Sequence, residues 1–298
     1  MIISVIIPSY KNESMLIQNL KNNINFLKNF EIIVVNDDPT TDIEKIIKQH
    51  SVLNPVKIIN NEKNSGFSQS INRGIMSASG KYIFLLNNDV VIHDSNFIPA
   101  LKHFEQDQDL FAISFCQKEK DDTLVGKNRI YWKNGFFQHA KTADHNFGIT
   151  AWAEGGSSLI DRQKYISLKG FDSLYSPFYW EDIDLSYRAW KNGYKIIFSP
   201  VTIFSHYHNS TIGKFYSQDY INKISFRNQL LFIWKNIHDR KLILDHMVKL
   251  LPNLIILIFN NKLNLIAGFF EALFKIPSIK RQPAKISDAE ILDKFYEK

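Results

Sequence analysis

Two acidic segments far apart in the chain carry the side chains best suited to chemistry. The first, Asn87-Asn88-Asp89, follows an apolar run, and the second, Trp180 to Leu185, holds three carboxylates within four residues. Like charges at this spacing raise one another's pKa, so crowding them is costly unless a cation, a base role or structural partners use them. The pattern suggests an enzyme that holds a divalent metal ion at one carboxylate and a general base at another; Asp89 could ligate Mg²⁺ or Mn²⁺ or be part of a structural turn.

Other polar segments follow predicted strands or open predicted helices. Asp37 comes directly after a buried strand, where its carboxylate could accept a hydrogen bond from a nucleobase imide or simply form a turn. Asn64 and Gly66 open a helix whose start could bind an anion or be an ordinary N-cap. On that helix, Arg73 could face a phosphate or water. His206 or His208 could complete the metal site, but residues i and i+2 of an extended segment point to opposite faces, so we expect at most one ligand.

The elements that must position these residues alternate between strand and helix patterns. Strands are predicted over residues 2–7, 31–35, 56–59 and 81–86, with helices over 13–27, 41–49, 68–78 and 96–104. This order predicts an α/β, doubly wound, mostly parallel sheet. Ligands of such sheets bind outside the carboxyl ends of the strands, which places Ser9, Tyr10, Asp37 and Asp89 on one rim.

The second half of the chain is less regular. Residues 117–150 are polar and predict a mobile loop over the cleft. A strand is expected over 153–160, a helix over 182–192 that ends at Gly193, a strand over 194–198 and a long helix over 216–235.

Composition limits the class of protein. At 298 residues the chain fits one large domain or two small ones. Its single cysteine, Cys116, excludes an internal disulfide and is expected in the core. The first residues lack the basic leader of a signal peptide. No membrane span is expected, because Pro252 and Asn253 interrupt the longest apolar run, which ends at Phe259.

The charge is concentrated towards the end of the chain. From residue 216 onward there are 13 Lys and Arg against 8 Asp and Glu, a difference of +5, out of a formal net charge of +6. This basic, amphipathic region could lie on an anionic membrane surface or pack as a helical appendage on the rest of the protein. It carries no nucleic-acid-binding motif, so a nucleic-acid partner is not expected.

An ordered set of short motifs supports a more specific interpretation. In chain order they are 4–12 (SVIIPSYKN), 32–38 (IIVVNDD), 64–67 (NSGF), 72–74 (NRG), 85–89 (LLNND), 155–156 (GG), 170–172 (GFD), 180–185 (WEDIDL), Arg188, 193–194 (GY) and His206. Together, over roughly residues 2 to 235, they resemble the family 2 glycosyltransferases of the GT-A fold. The likeness is to the rhamnosyltransferase-like members that build bacterial surface polysaccharides such as O-antigen.

The resemblance implies a domain organisation and a location. A catalytic domain would span residues 1–215, with a nucleotide-sugar half at 1–116 and an acceptor half at 117–215. Residues 216–298 would form a C-terminal helical extension. The protein would be cytoplasmic, or peripheral on the inner face of the cell membrane.

The resemblance also implies a role for each matching residue. A UDP- or dTDP-sugar would be the donor and a glycan or lipid-linked saccharide the acceptor. The metal would lie on Asp89 with His206, Asp182 would be the base, and Glu181 would position the acceptor. The donor nucleotide would be held by the remaining candidates: Pro8, Ser9, Tyr10, Asp37, Asn64, Gly66, Arg73, Asn87 and Asn88.

The chain departs from the family pattern at two motifs. The family's D-D-G-S-T-D string appears as residues 36–42, NDDPTTD, and its D-x-D motif is reduced to N-N-D at residues 87–89. Metal binding would therefore rest on fewer carboxylates. The alternative function is a non-catalytic subunit that binds a sugar nucleotide or a glycan within a polysaccharide assembly complex. Such a subunit would keep Asp37 and tolerate loss of Asp182.

Overall fold

A computed structural model of the protein describes residues 2–53, 56–206, 213 and 215–296. Within these ranges the chain forms a mixed sheet of ten strands and a separate two-stranded hairpin. The strands are β1 (Ile3–Ser9), β2 (Glu31–Asn36), β3 (Lys57–Asn60), β4 (Tyr82–Leu86), β5 (Val90–Val91), β6 (Leu110–Lys118), β7 (Leu124–Val125), β8 (Asn128–Lys133), β9 (Phe136–Lys141), β10 (Gly148–Ile149), β11 (Ser157–Asp161) and β12 (Lys195–His206).

The prediction of a mostly parallel α/β sheet is confirmed. The sheet order is β10-β12-β6-β11-β4-β1-β2-β3, and β1 to β4 are parallel to one another. Strand β11 runs antiparallel between β4 and β6, and β12 is again parallel to β6. The carboxyl ends of β1, β2 and β4 therefore meet at one edge.

The sheet separates two hydrophobic cores, because successive side chains of a strand point to opposite faces. On β1, Ile6 contributes to one core while Val5 and Ile7 contribute to the other. Strands buried on both faces have nearly continuous apolar sequences, which is why residues 31–35 were recognisable as a strand. Cys116 is buried, as expected.

Ten α-helices are described in these ranges. They are α1 (Glu13–Leu27), α2 (Ile43–Lys48), α3 (Phe67–Met76), α4 (Lys102–Gln106), α5 (Arg162–Ser167), α6 (Glu181–Lys191), α7 (Gln218–Asn236), α8 (Arg240–Phe259), α9 (Leu263–Lys275) and α10 (Asp288–Lys294). Helix α1 buries Leu16, Leu20, Ile24 and Leu27, as its spacing predicts. The helix expected over 96–104 instead begins as a 3₁₀ turn at Pro99 and continues as α4, because proline cannot donate within a helix.

Residues 117–150 are not an irregular loop, so that prediction was wrong. They contain the end of β6, β7, the β8–β9 hairpin and β10. The hairpin packs on the C-terminal helices: Trp132 Nε1 donates to Asp245 Oδ2 at 2.7 Å, and Gln229 Nε2 donates to the carbonyl of Phe137 at 2.9 Å. The turn between β8 and β9 is Asn134-Gly135, whose φ values of 53° and 80° are left-handed, and this dipeptide is a local signal for a tight hairpin that the loop prediction overlooked.

The C-terminal helices share a core with the sheet. Leu230 and Phe232 of α7, Ala272 of α9 and Ile291 of α10 belong to the same buried cluster as β-strand residues. The boundary after residue 215 stays a prediction.

The expected break at Pro252 was wrong, because α8 runs through it from Arg240 to Phe259. Among the described residues, α8 is the one helix whose length and apolar composition would suffice to cross a membrane. Pro252 is exposed, and Asn253 Nδ2 donates to the carbonyl of Lys249 at 2.7 Å.

Candidate active site

A cleft opens at the carboxyl ends of β1, β2 and β4. Of the candidate site residues that lie in the described ranges, it brings together all except Arg73. Asp89 and Asp182, the two residues on which the predicted chemistry depends, both line it. The full lining comprises Pro8, Ser9, Tyr10, Asp37, Asn64, Gly66, Phe67, Ser70, Asn87, Asn88, Asp89, Glu154, Gly155, Gly156, Pro177, Phe178, Tyr179, Glu181, Asp182, His206 and Tyr216.

Asp37 organises the wall of the cleft that follows β2. Its Oδ1 accepts bonds from Asn61 Nδ2 at 2.8 Å and from the backbone N–H of Ser65 at 2.7 Å. Its Oδ2 accepts the N–H of Gly66 at 2.8 Å. Because a carboxylate oxygen can accept two bonds, Oδ2 retains capacity for one more donor.

These bonds change the interpretation of the segment that opens α3. The sequence left open whether this helix start binds an anion or is an ordinary N-cap. The amides of Ser65 and Gly66, which precede the first helical residue Phe67, donate to Asp37, so these two are not available to an anion. Gly66 has a φ of 80°, a left-handed value that favours glycine, which explains why a glycine occupies this turn.

Arg73 lies away from the cleft. Its Nη1 donates to the carbonyl of Asn60 at 2.7 Å and to Asn61 Oδ1 at 2.8 Å. The guanidinium therefore fastens α3 to the end of β3 and does not contribute to the cleft wall.

Asp89 and His206 meet because β5, which directly follows Asp89, pairs with the end of β12: Val90 is the register partner of His206. His206 Nε2 lies 3.1 Å from Asp89 Oδ1. His208 lies outside the described residues.

The Asp89–His206 pair fits a divalent cation. The His206 Nδ1 is hydrogen-bonded to Gln117 Oε1, so in the neutral ring Nδ1 carries the proton and Nε2 a lone pair directed at Asp89. Asp89 Oδ1 is buried and receives no hydrogen bond from the described part of the chain. Two neighbouring ligands of an octahedral ion, each at about 2.1 Å, lie about 3 Å apart. The pair can hold a proton or a metal ion between its members.

The absence of a side chain at Gly156 leaves room for Asn87 and His206 beside the Asp89–His206 pair. A Cβ at Gly156 would lie 3.1 Å from Asn87 Nδ2 and 3.3 Å from His206 Cε1. The backbone N–H of Asn87 donates to the carbonyl of Gly156 at 3.1 Å, which holds the β4 turn against the segment before β11. Within the described ranges, no set of three or more His, Cys, Asp or Glu side chains forms a ready-made metal cage. A bound ion would therefore complete its coordination with water and ligand oxygens, as Mg²⁺ usually does.

The opposite wall of the cleft is the first turn of α6. Tyr179 and Trp180 both have left-handed φ values, 70° and 78°, so the chain turns sharply just before the helix begins. This turn exposes the Asp182 side chain to the cleft, while Glu181 is almost fully buried. Glu181 Oε2 has no hydrogen-bond partner among the described residues.

Both carboxyl groups hold their protons more tightly than usual. Burial, followed by the charges of Asp182 and Asp184, raises the pKa of Glu181. Burial, followed by the charge of Glu154, raises the pKa of Asp182. Repulsion between Glu181 and Asp182 is mutual, and Glu154 adds a charge that the sequence analysis did not include. A carboxylate with a raised pKa is a better proton acceptor once ionised.

Asp184 serves a structural role. It is fully buried and accepts hydrogen bonds from Arg188 Nε at 2.8 Å, Lys235 Nζ at 2.8 Å and Tyr175 Oη at 2.8 Å. Burial alone would raise the pKa of Asp184, but Arg188 and Lys235 hold it well below its ordinary value. These bonds fix α6 to α7 and so fix the position of Asp182.

The sequence analysis missed Glu154 and an aromatic wall. Glu154 precedes the recognised Gly155-Gly156 motif, and Asn128 Nδ2 donates to its Oε1 at 2.7 Å. Burial raises the pKa of Glu154. The aromatic wall consists of Phe67, Phe178, Tyr179 and Tyr216. Adjacency to the glycine pair could have drawn attention to Glu154, but no spacing pattern distinguishes these aromatic residues from core residues.

The fold is α/β of the GT-A type, and the cleft at the carboxyl edge of its mostly parallel sheet is lined by both Asp89 and Asp182. The family model described as "Glycosyl transferase family 2" matches residues 4–166. The chain belongs to this family.

Comparisons with individual proteins agree. An uncharacterised glycosyltransferase of Rickettsia bellii is 33% identical over 117 residues, which is 39% of this chain and 17% of that protein. A poly-β-1,6-N-acetyl-D-glucosamine synthase of Staphylococcus aureus is 22% identical over 195 residues, 64% of this chain and 47% of that protein. This chain thus spans less than half the length of these two curated relatives.

A crystal structure of GalNAc-T7 with UDP, GalNAc and Mn²⁺ superposes with a TM-score of 0.60 at 16% identity, covering 78% of this chain and 47% of that one. At this level of identity the likeness shows the fold alone.

Proposed function

We propose that this protein is an inverting, metal-dependent glycosyltransferase. It moves a sugar from a UDP- or dTDP-sugar to a glycan or lipid-linked acceptor during synthesis of a cell-surface polysaccharide. It would work in the cytoplasm or on the inner face of the cell membrane. The observation that carries the proposal is that Asp89 and Asp182, from distant parts of the sequence, face the same cleft.

The donor would lie along the edge formed by β1, β2 and β4. Pro8, Ser9 and Tyr10 line this part of the cleft, and Asp37 Oδ2 has capacity to accept a nucleobase imide N–H. Asp89 and His206 would hold a divalent cation, which supplies positive charge to the departing diphosphate. UDP and Mn²⁺ in the structurally similar GalNAc-T7 support this arrangement.

The acceptor would enter beside α6. Asp182 would accept the proton of the attacking hydroxyl group, since it is exposed to the cleft and its pKa is raised by burial. Glu181 lies one residue away and would position the acceptor by hydrogen bonding. Direct attack on the anomeric carbon, with the diphosphate leaving from the opposite side, would invert the configuration.

The first experiment compares variants in donor turnover. The purified chain is incubated with UDP- and dTDP-sugars, with Mn²⁺, Mg²⁺ or EDTA, and nucleoside diphosphate release is measured. Asp182→Asn should lower the rate by about 10²–10⁴-fold, because it removes the base but keeps the shape. Asp89→Ala should abolish the response to Mn²⁺. Asp94→Ala is the matched control for Asp89, since Asp94 belongs to the same segment but does not line the cleft.

Thermal shift measurements distinguish catalysis from binding alone. A ligand that binds only the folded state raises the melting temperature, so UDP with Mn²⁺ should stabilise the wild type and Asp182→Asn alike. Stabilisation without turnover in the wild type, with no effect of Asp182→Asn, would instead identify a non-catalytic binding subunit. Unchanged turnover in either cleft variant would refute the role assigned to that residue.

A further inference from the structure

Helix α8 exposes a row of apolar side chains on the surface of the protein. Leu244, Met247, Val248, Leu251 and Ile255 are all exposed, at positions i, i+3, i+4, i+7 and i+11 of the same helix. This is the spacing of a single apolar stripe. In a surface helix such a stripe normally faces the core, so its exposure requires an explanation.

The inner side of α8 combines apolar packing with polar bonds. Leu242, Ile243 and Leu250 pack against the core, Asp245 accepts the indole N–H of Trp132, and the buried His246 is hydrogen-bonded to the carbonyl of Gly135 and accepts from Trp234 Nε1 at 3.0 Å. The helix is therefore held along its inner side and still has an apolar face turned outward.

Helix α9 likewise has apolar side chains on both sides, since Phe269 packs against the core while others are exposed. Leu263, Phe270 and Phe274 are exposed, Phe274 by 85%. Glu271 points inward to accept a bond from Lys223 Nζ of α7 at 2.7 Å. Close packing against α7 uses a small residue, since a Cβ at Gly268 would lie 2.7 Å from the carbonyl of Lys223.

The segment that carries these two faces is strongly basic. Residues 240–281 contain seven Lys and Arg and two acids, which gives a net charge of +5. Both acids are paired: Asp245 with Lys249 at 2.8 Å, and Glu271 with Lys223 at 2.7 Å. The exposed apolar faces are thus accompanied by positive charge.

We propose that α8 and α9 form a docking surface for an anionic lipid bilayer and lie in the plane of its interface. Apolar side chains would enter the acyl boundary, while exposed lysines such as Lys262 contact lipid headgroups. A second copy of the chain fits less well, because a two-fold interface would place the same basic patch opposite itself.

The inward contacts argue against a membrane-spanning α8, although its length would allow one. Spanning would carry Asp245, His246 and the hairpin residues bonded to them into hydrocarbon, where polar groups are costly. The helix is instead anchored along its inner side, and one face remains for the bilayer.

This surface lies next to the acceptor side of the cleft. Lys275, the last residue of α9, donates to the carbonyl of Leu174 at 3.4 Å, three residues before Pro177 in the cleft lining. If the proposed function holds, docking would bring the cleft close to a lipid-linked acceptor. The docking itself does not depend on that function.

Vesicle sedimentation tests the surface with a matched pair of variants. Met247 and Met76 are both helical methionines and are 61% and 64% exposed, but Met76 belongs to α3. The full chain is sedimented with vesicles of phosphatidylcholine alone or mixed with phosphatidylglycerol. The wild type should bind the mixed vesicles and be released by salt. Met247→Glu should lower the partition coefficient about tenfold or more, and Met76→Glu should leave it unchanged.

Four results would overturn the proposal. They are equal partition of wild type and Met247→Glu, equal binding to neutral vesicles, resistance to alkaline carbonate extraction as for an integral protein, and a dimer in light scattering that Met247→Glu dissociates. Donor turnover in solution should be the same in Met247→Glu and wild type. A failure of docking can therefore be told apart from a failure of the proposed function.

Discussion

The two faces of helix α6 carry aspartates whose pKa values are shifted in opposite directions. Asp182 faces the cleft and its pKa is raised by burial and by Glu154. Asp184, two residues later, faces the core and is kept ionised by Arg188 and Lys235. Under the proposed function, the contrast is a division of labour, in which Asp184 fixes the helix and Asp182 exchanges a proton.

The largest expected loss of stability follows from substituting Asp184, on the face of α6 that packs against the core. Asp184→Asn should destabilise the protein by about 3–5 kcal/mol, because it leaves the buried Arg188 charge without its counter-charge and removes one of the two carboxylates that pair with Lys235, the other being Asp172. Urea unfolding measures this loss. Asp182→Asn is the control on the same helix, and we expect it to keep or raise the unfolding midpoint. Equal losses in the two variants would contradict the division of labour.

A smaller change in stability, and a gain instead of a loss, is expected when Glu181 is substituted. Burial raises its pKa, so the folded protein binds a proton more tightly than the unfolded chain does, and wild-type stability falls as the pH rises through the shifted pKa. Glu181→Gln removes this cost. It should raise stability by roughly 1 kcal/mol at about pH 8 and change it little at about pH 4. Thermal melts at both pH values test the sign; a gain of the same size at both would rule out titration of Glu181 as its cause.

Several parts of this arrangement could be predicted from the sequence because they depend on local patterns. Buried parallel strands such as residues 31–35 are continuous apolar runs, and Gly193 ends α6 with a φ of 87° as its position suggested. The order of short motifs also brought Asp89 and Asp182 into one hypothesis. What stays a prediction is their chemical role.

Other parts depend on tertiary contacts that no local pattern records. The Asn134-Gly135 turn could have indicated the β8–β9 hairpin, but not its packing on α7 and α8, which bond to it through residues about 90 to 113 positions away in the chain. Helix α8 continues through Pro252 despite the rule that proline breaks helices. Glu154 approaches Asp182 only because β11 pairs with β4 and brings Gly156 against Asn87.

The smallest expected effect tests the contrast between Asp182 and Asp184 from outside helix α6, because Glu154, which precedes β11, contributes to the pKa of Asp182. If its charge helps to raise the pKa of Asp182, then Glu154→Gln should move the acid limb of the pH–rate profile to lower pH, by about half a unit. Asp182 then stays ionised down to a lower pH, so the rate begins to fall only at that lower pH. The measurement is kcat/KM against pH for both proteins, with the melting temperature recorded at each pH to exclude unfolding. A limb that stays in place would mean that burial alone sets the pKa of Asp182, and the contrast with Asp184 would then rest on solvent exclusion and not on neighbouring charge.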